Sequence, residues 1–324
     1  MSVKALTRHI SSRLEVEALR DNARVIIVYV VLALMVAVTS TLSPVFRSQV
    51  NIFNVLRQSV ILGVLAIGQA FTILSAGIDL SVGSVVKLIA VLSSGFIAGE
   101  TGMVVPIILL CLTLGGFIGL LNGLMIAKVK ISPFVATLAM FSILRGFAYA
   151  YTRTAIGAIP EAMRFVLYGG AIGPVPVVVI LFVILLVLGI VVLRQTRFGR
   201  HLYAVGGNEE VARLAGIEVG RIRIGVYILC GVLAALAGLI KASSMGLGDP
   251  IVGEGLELDS ITAVILGGIS FAGGSGGLVG TLAGVFILAL INNVLTLLRV
   301  SWFYQGLIKA FIVLIAVAIY KQKA

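Results

Sequence analysis

The chain has 324 residues, 60% of them hydrophobic and 11% charged, with a mean hydropathy of +1.18. A soluble globular chain is nearer half apolar and a quarter charged, so this composition is that of an integral membrane protein. The formal net charge of +11 reads as basic loops flanking the membrane on its cytoplasmic side, which excludes nucleic acid as a partner.

Residues 1–24 are basic, with Glu15, Glu17 and Asp21 interspersed. They read as a cytoplasmic tail that either lies on the membrane as a helix or frays. This stretch has no short apolar core with a small-residue cleavage site, so no removable signal peptide is expected. Residues 25–324 are expected to form a single transmembrane domain. Apolar runs of spanning length fall at about 25–43, 58–76, 83–98, 104–127, 134–151, 175–193, 224–245, 261–275, 278–298 and 306–320. The expected fold is all-α, with about ten transmembrane helices. Fifteen Lys and Arg side chains fall on one set of connecting segments and five on the other. The basic bias places both termini in the cytoplasm.

Between the second and third runs lies Ser75-Ala-Gly-Ile-Asp-Leu-Ser-Val-Gly-Ser84. A charge at mid-bilayer costs roughly 2.5–3.5 kcal/mol on insertion scales, so Asp79 must face protein or water. A broken helix at that depth is tolerated only where it is covered by protein or lines a cavity. Asp79 reads either as a hinge or pathway residue, or as an N-cap for the following span with Ser81 and Ser84 satisfying backbone donors. Further polar residues within runs are Gln69, Asn122, Thr137, Arg145, Asn292 and Asn293. Singly each reads as a helix–helix hydrogen bond; together they supply donors and acceptors for a hydroxyl-rich solute. Lys87 and Lys241 are in-span cations that read as snorkelling to an interface.

Gly119 to Phe134 echoes Leu288 to Phe303, with Lys130 on the cytoplasmic side and Arg299 outside. The echo reads as an inverted repeat or as chance similarity between Leu-rich segments. Gly115, Gly119 and Gly123, and again Gly276, Gly280 and Gly284, recur every four residues, a spacing that permits close helix contact. Cys111 and Cys230 lie within apolar runs and read as packing residues rather than a disulfide framework.

From Arg194 to Arg223 the chain carries six arginines and three glutamates between two apolar spans. Such a loop reads as a cytoplasmic docking element, which points to a transporter driven by a partner. Residues 246–260 contain Asp249, Glu254, Glu257 and Asp259 without a basic residue and are placed outside. The glycine-rich stretch Gly267 to Gly277 lacks the Lys-Ser/Thr ending of a phosphate loop. No His-x-x-x-His or Cys-x-x-Cys spacing occurs, and His9 and His201 fall in the tail and the loop. No catalytic residue, metal or cofactor is therefore expected.

Four motifs carry a family resemblance: Gly77-Ile-Asp-Leu-Ser-Val-Gly-Ser84; Leu121-Asn-Gly-Leu through Pro133-Phe-Val-Ala-Thr-Leu138 to Arg145-Gly; Thr196-Arg-Phe-Gly-Arg through Gly206-Gly-Asn-Glu-Glu to Ala215-Gly-Ile; and Gly255-Leu-Glu-Leu-Asp-Ser through Gly267-Gly to Gly280-Thr. Over nearly all of residues 45–320 the chain resembles permease subunits of bacterial ABC importers of the ribose, xylose, galactoside and arabinose type. Branched-chain amino acid and nucleoside permeases are more distant relatives. The resemblance implies a bacterial inner-membrane permease with a second permease copy or a paralogue, lipid around it, a cytoplasmic ATP-binding subunit and a periplasmic solute-binding protein. It implies that Gly206, Gly207, Asn208, Glu209, Glu210, Arg213 and Gly216 couple to the ATPase. It also places Asp249, Glu254, Glu257 and Asp259 toward the receptor. Translocation-pathway candidates are Gln69, Asp79, Ser81, Asn122, Thr137, Arg145, Asn292 and Asn293. The implied solute is monosaccharide-like; a polyol, a nucleoside or a signalling sugar derivative is an alternative. Two departures bear on solute identity: Ser275 replaces the Arg usual in the Gly-Gly-Arg-Gly turn, and Lys87 stands where small or apolar residues are usual. An ion-coupled carrier built on Asp79, or a membrane anchor for the ATPase, are the rival classes.

Overall fold

A computed structural model describes residues 23, 25–41, 43–301, 304–308 and 311. Among them, six helices are long and apolar enough to cross a membrane. They are α2 (Gln49–Leu74), α4 (Val104–Ala127, entered through a 3-10 turn), α5 (Pro133–Tyr151), α7 (Val177–Gln195), α10 (Val219–Met245) and α12 (Leu278–Leu297). Two shorter apolar helices are α1 (Val25–Thr41) and α3 (Val82–Ile97). The remaining elements are α6 (Glu161–Arg164), a two-stranded hairpin of β1 (Ala171–Ile172) and β2 (Val175–Pro176), α8 (Arg197–Gly207), α9 (Glu209–Leu214) and α11 (Leu256–Leu266).

The expected span at 261–275 is corrected. Helix α11 stops at Leu266 and residues 267–277 are a non-helical glycine-rich loop. Positive φ at Gly268, Gly273, Gly274 and Gly276 explains the stop, because a helix cannot continue through left-handed backbone. The expected span at 306–320 and the tail at 1–24 lie largely outside the described residues.

Helices α2 and α10 form the antiparallel centre. Their apolar faces are covered by protein, whereas only 28% of the most apolar window of α4, α5 or α7 is buried, against 61% for α10. The outer three expose Val105, Leu109, Phe147 and Val187, the surface a lipid-facing helix presents; Arg145 of α5 is exposed on the other side, about 200° around the helix from Phe147. Close approach is made possible by small residues, since apolar side chains gain little from each other in lipid. A Cβ at Gly115 would meet the Gly231 carbonyl, one at Gly119 the Tyr227 carbonyl, and one at Gly123 the Ile224 backbone. The stripe on α4 thus packs on α10. Gly280 and Gly284 face Gly267 and Ala263 of the α11 segment in the same way, while Gly276 precedes α12 and does not belong to that stripe.

Helix α10 serves as a depth scale. At 1.5 Å per residue it spans about 40 Å, from the end that carries the 196–218 loop (the loop face) to the opposite face. Gly68 and Thr72 of α2 meet α10 at Cys230, about 16 Å in. Val86 and Ile89 of α3 meet it at Gly238, about 28 Å in.

Two segments enter the bundle without being helical. From the loop face, residues 75–81 turn back after α2 and rise to the N-terminus of α3. From the opposite face, the chain after α10 descends along α3: Gly248 lies against Ala90 and Ser94, Gly253 against Gly83, and Glu257 against Gly83. Helix α11 then continues toward the loop face. The N-terminal ends of α3 and α11 meet inside the bundle. The echoed sequence segments end α4 at the loop face, where Gly123 touches Ile224, and end α12 at the other, where Asn293 pairs with Asn51. They run in opposite senses.

Candidate functional site

The break after α2 is built from polar groups on four helices. Ala76 at φ 58 reverses the chain, and the Gly77 N–H donates to the Thr72 carbonyl at 3.0 Å. With its amide turned so that the oxygen faces the Asp79 N–H, Gln69 pairs with both backbone groups of Asp79, donating to its carbonyl at 3.1 Å and accepting from its N–H at 3.2 Å. Asp79 Oδ1 accepts from the Ser81 N–H (2.8 Å) and hydroxyl (2.6 Å), and Asn122 Nδ2 of α4 donates to Ser81 Oγ at 2.9 Å. Tyr227 of α10 donates to the Ile78 carbonyl at 3.0 Å, and Thr137 of α5 reaches the same carbonyl at 3.5 Å.

Asp79 closes a side-chain turn onto the residue two positions on, the habit of Asx residues in loops. Ser81, not Asp79, is the N-cap residue of α3. Ser84 Oγ is buried with no partner among the described residues, so it satisfies no donor there. Five of the expected pathway residues (Gln69, Asp79, Ser81, Asn122 and Thr137) are brought together at this break, each at most 1% exposed. Asn292 and Asn293 are elsewhere. Asn293 forms a reciprocal amide pair with Asn51 at 3.2 and 2.9 Å, tying α12 to the start of α2.

A second cluster sits nearer the opposite face. Lys87 is only 2% exposed and its Nζ donates to Glu254 Oε1 at 3.1 Å and to the Tyr149 hydroxyl at 3.2 Å. Tyr149 donates to the same carboxylate oxygen at 3.3 Å, and Arg145 lies 3.5 Å from it. Both cations also stand over the Tyr149 ring, at 4.6 and 5.8 Å. Lys87 therefore does not snorkel. It is held inside the bundle by a carboxylate 167 positions away, because a buried cation without a counter-charge is strongly destabilising. The acidic residues of 246–260 are not one group in space. Glu254 and Glu257 lie along α3, whereas Asp249 accepts from the Ile251 N–H in its own turn.

The polar loop folds as two short helices. Thr196 caps α8 by accepting from the Gly199 N–H, and Asn208 caps α9 by accepting from the Val211 N–H. Glu209 bridges Arg213 on α9 and Arg223 at the start of α10, the latter at 2.6 Å. Glu210 and Arg213 stay exposed, and beside them stand Val211 and Leu214, 60% and 83% exposed. Sequence reading picked out the charged residues and missed these apolar ones, which stand out only once α9 is seen projecting from the loop face. Gly216 ends the turn at φ +79. Gly206 is buried where a Cβ would collide with the Leu74 carbonyl, and Gly207 packs against Gly274. The Gly274 N–H donates to Leu74 at 3.1 Å. The end of α8, the break after α2 and the glycine-rich loop after α11 thus meet at one junction.

Over residues 51–317 the chain matches the family described as branched-chain amino acid transport system / permease component. It is 41% identical over 298 residues to the ribose import permease protein RbsC of Escherichia coli K12, covering 91% of this chain and 92% of that protein. Identity to RbsC of Bacillus subtilis is 43% over 295 residues, covering 90% and 91%. Identity to the galactose/methyl galactoside import permease protein MglC of Haemophilus influenzae is 33% over 322 residues, covering 94% of both. No solved structure matches the chain. With a family match across most of its length and relatives of this identity, the chain belongs to the family of ABC-importer permeases that includes these sugar permeases.

Proposed function

We propose that the chain is the membrane-spanning subunit of an ATP-driven importer that moves a monosaccharide-like solute into the cytoplasm by alternating access. The ribose, galactose and arabinose permeases to which it is similar support the solute class. In this reading two permeases, as two copies or a pair of paralogues, share one passage, with both termini and the 196–218 loop in the cytoplasm and lipid around the bundle. An ATP-binding subunit docks on α8 and α9 through Gly206, Gly207, Asn208, Glu210, Arg213 and Gly216, with Glu209 fixing α9 to α10. A periplasmic solute-binding protein docks at the opposite face, where Asp249 lies; Asp259 belongs with the acidic segment below it. The chain itself performs no chemistry, and ATP is hydrolysed by the partner.

The observation that carries this reading is the junction of Gly206 and Gly207 with Leu74 and Gly274. Movement of α8 acts directly on both segments that break the bundle. Broken helices meeting at mid-depth between oppositely running halves are the usual architecture of alternating-access transporters. Binding of ATP and of the loaded receptor then shifts the populations of two states of these segments. Simultaneous replacement of Glu209 and Arg213 tests the assignment. Transport-linked ATPase activity should be lost while membrane insertion is normal; unchanged coupling would overturn it. Solute uptake that collapses with a protonophore but survives loss of the ATPase would instead favour the ion-coupled carrier.

A further inference from the structure

The four-residue cluster around Glu254 is larger than a structural tie requires. Joining α3 to the segment after α10 needs only Lys87 and Glu254. Arg145 and Tyr149 are supplied from a third element, α5, and converge on the same carboxylate oxygen. The cluster has a closed back and an open front: Lys87 is 2% exposed, whereas the Arg145 and Glu254 side chains are 48% and 35% exposed. Glu254 Oε2 carries no hydrogen bond among the described residues, and the guanidinium has five N–H donors of which a single contact uses few.

We propose that Arg145, Tyr149 and Glu254 form a station for a neutral, polyhydroxylated solute within the passage, with Lys87 as the positioning residue that holds the carboxylate in place. The assignment rests on the sugar-import reading and names the site inside the permease that this reading requires. The donors of Arg145, the hydroxyl of Tyr149 and the free oxygen of Glu254 together match the donor–acceptor pairs of neighbouring hydroxyl groups. The charge pattern selects a neutral solute. Glu257 stands along α3 from Glu254, its carboxyl against Gly83 and one oxygen buried without a partner. Lys87 and Arg145 are both already turned onto Glu254, and Glu257 and Asp259 follow it as further carboxylates on the same segment. A sugar acid or an amino sugar would enter with an unmatched charge at a depth where such a charge is expensive.

The test uses the full-length chain in nanodiscs with its ATP-binding subunit and without the receptor. Saturation-transfer NMR is recorded with D-ribose, L-arabinose, D-galactose and, as the anionic probe, D-gluconate. Transfer to at least one neutral sugar and none to gluconate is expected. Arg145→Gln, on a half-exposed side chain, should weaken the sugar signal at least about tenfold, the scale of a lost hydrogen bond to a charged group. Glu254→Gln alone strands Lys87 in the interior, so K87M/E254Q is the second variant, and it should lose the signal equally while remaining folded. Sugar binding that survives in both variants, or a preference for gluconate, overturns the proposal. So does the absence of transfer to a sugar that intact cells import through this system. If cells import none of the three sugars and no other monosaccharide through this system, the sugar-import reading itself fails, and the station falls with it.

Discussion

The amide of Gly274 donates to the carbonyl of Leu74 at 3.1 Å, joining the loop after α11 to the last residue of α2. Leu74 is the final carbonyl of a 26-residue helix, and a carbonyl there has no partner within its own helix. Gly274 can supply one because it adopts φ +71 and its missing side chain leaves room for Gly206 and Gly207 on the other side. Three segments far apart in sequence thus share one hydrogen-bonded contact on the face that is proposed to meet the ATPase.

Gly206→Val is expected to uncouple ATP hydrolysis from transport. Its Cβ would overlap the Leu74 carbonyl and crowd the Gly274 amide, and overpacking of this kind costs about 1–3 kcal/mol. Membrane insertion should persist, since α8 lies outside the spans. Receptor-stimulated ATPase activity in the reconstituted complex provides the measurement, and wild-type stimulation would count against the junction as a transmission point.

Leu214→Asp, alone or with Val211→Asp, should release the ATP-binding subunit during purification. Both side chains are largely exposed, so neither change disturbs packing. Each change also places an unpaired carboxylate in the contact, and where such a position is a hot spot the loss is about 2 kcal/mol, roughly thirtyfold in affinity. Retention of stoichiometric ATPase after both changes would show that α9 is not the docking tip.

Gln69→Leu should destabilise the fold more than its conservative size implies. It removes partners from the N–H and carbonyl of Asp79 at once, in a segment where water cannot replace them. An unsatisfied buried polar group costs about 1–3 kcal/mol. Thermal unfolding in detergent should fall by several degrees, with Asn122→Ala, which strips one donor from Ser81, showing a smaller drop.

The ion pair should respond asymmetrically. Glu254→Gln leaves a lysine that is 2% exposed without its counter-charge, whereas Lys87→Met leaves a carboxylate that is 35% exposed and still faces Arg145. The first is expected to cost about 3–5 kcal/mol and the second clearly less, with K87M/E254Q recovering most of the loss. Equal destabilisation by both single changes, measured by thermal unfolding, would mean that Lys87 is not buried as described.

Much of the bundle is legible in the sequence. The helices α2, α4, α5, α7, α10 and α12 announce themselves because hydrocarbon imposes a long apolar run on anything that crosses it. The break at Ser75–Ser84 is legible too, since a carboxylate between two glycines cannot continue a lipid-exposed helix. The stripe of Gly115, Gly119 and Gly123 signals close helix packing by its spacing alone, and it packs on α10. The end of α11 is not legible: residues 261–275 are apolar enough to pass for a span, and the helix stops at Leu266 because the glycine-rich stretch turns left-handed from Gly268 onward.

Composition and local pattern by themselves determined that this is a membrane protein, where its long helices lie, and that a polar loop projects between α7 and α10. These properties follow from the transfer of each segment into lipid, which depends on that segment alone. Which polar residues meet was decided by the tertiary structure. Lys87 and Glu254 are each anomalous in isolation, one as a cation in a span and one as a carboxylate in a segment assigned to the surface. Their pairing depends on the chain after α10 descending along α3, a path set by the packing of Gly248 and Gly253 against that helix. Long-range contacts of this kind leave no periodic trace in a single sequence, because Glu254 reaches Lys87, 167 positions earlier in the chain, only through the packing of its segment against α3.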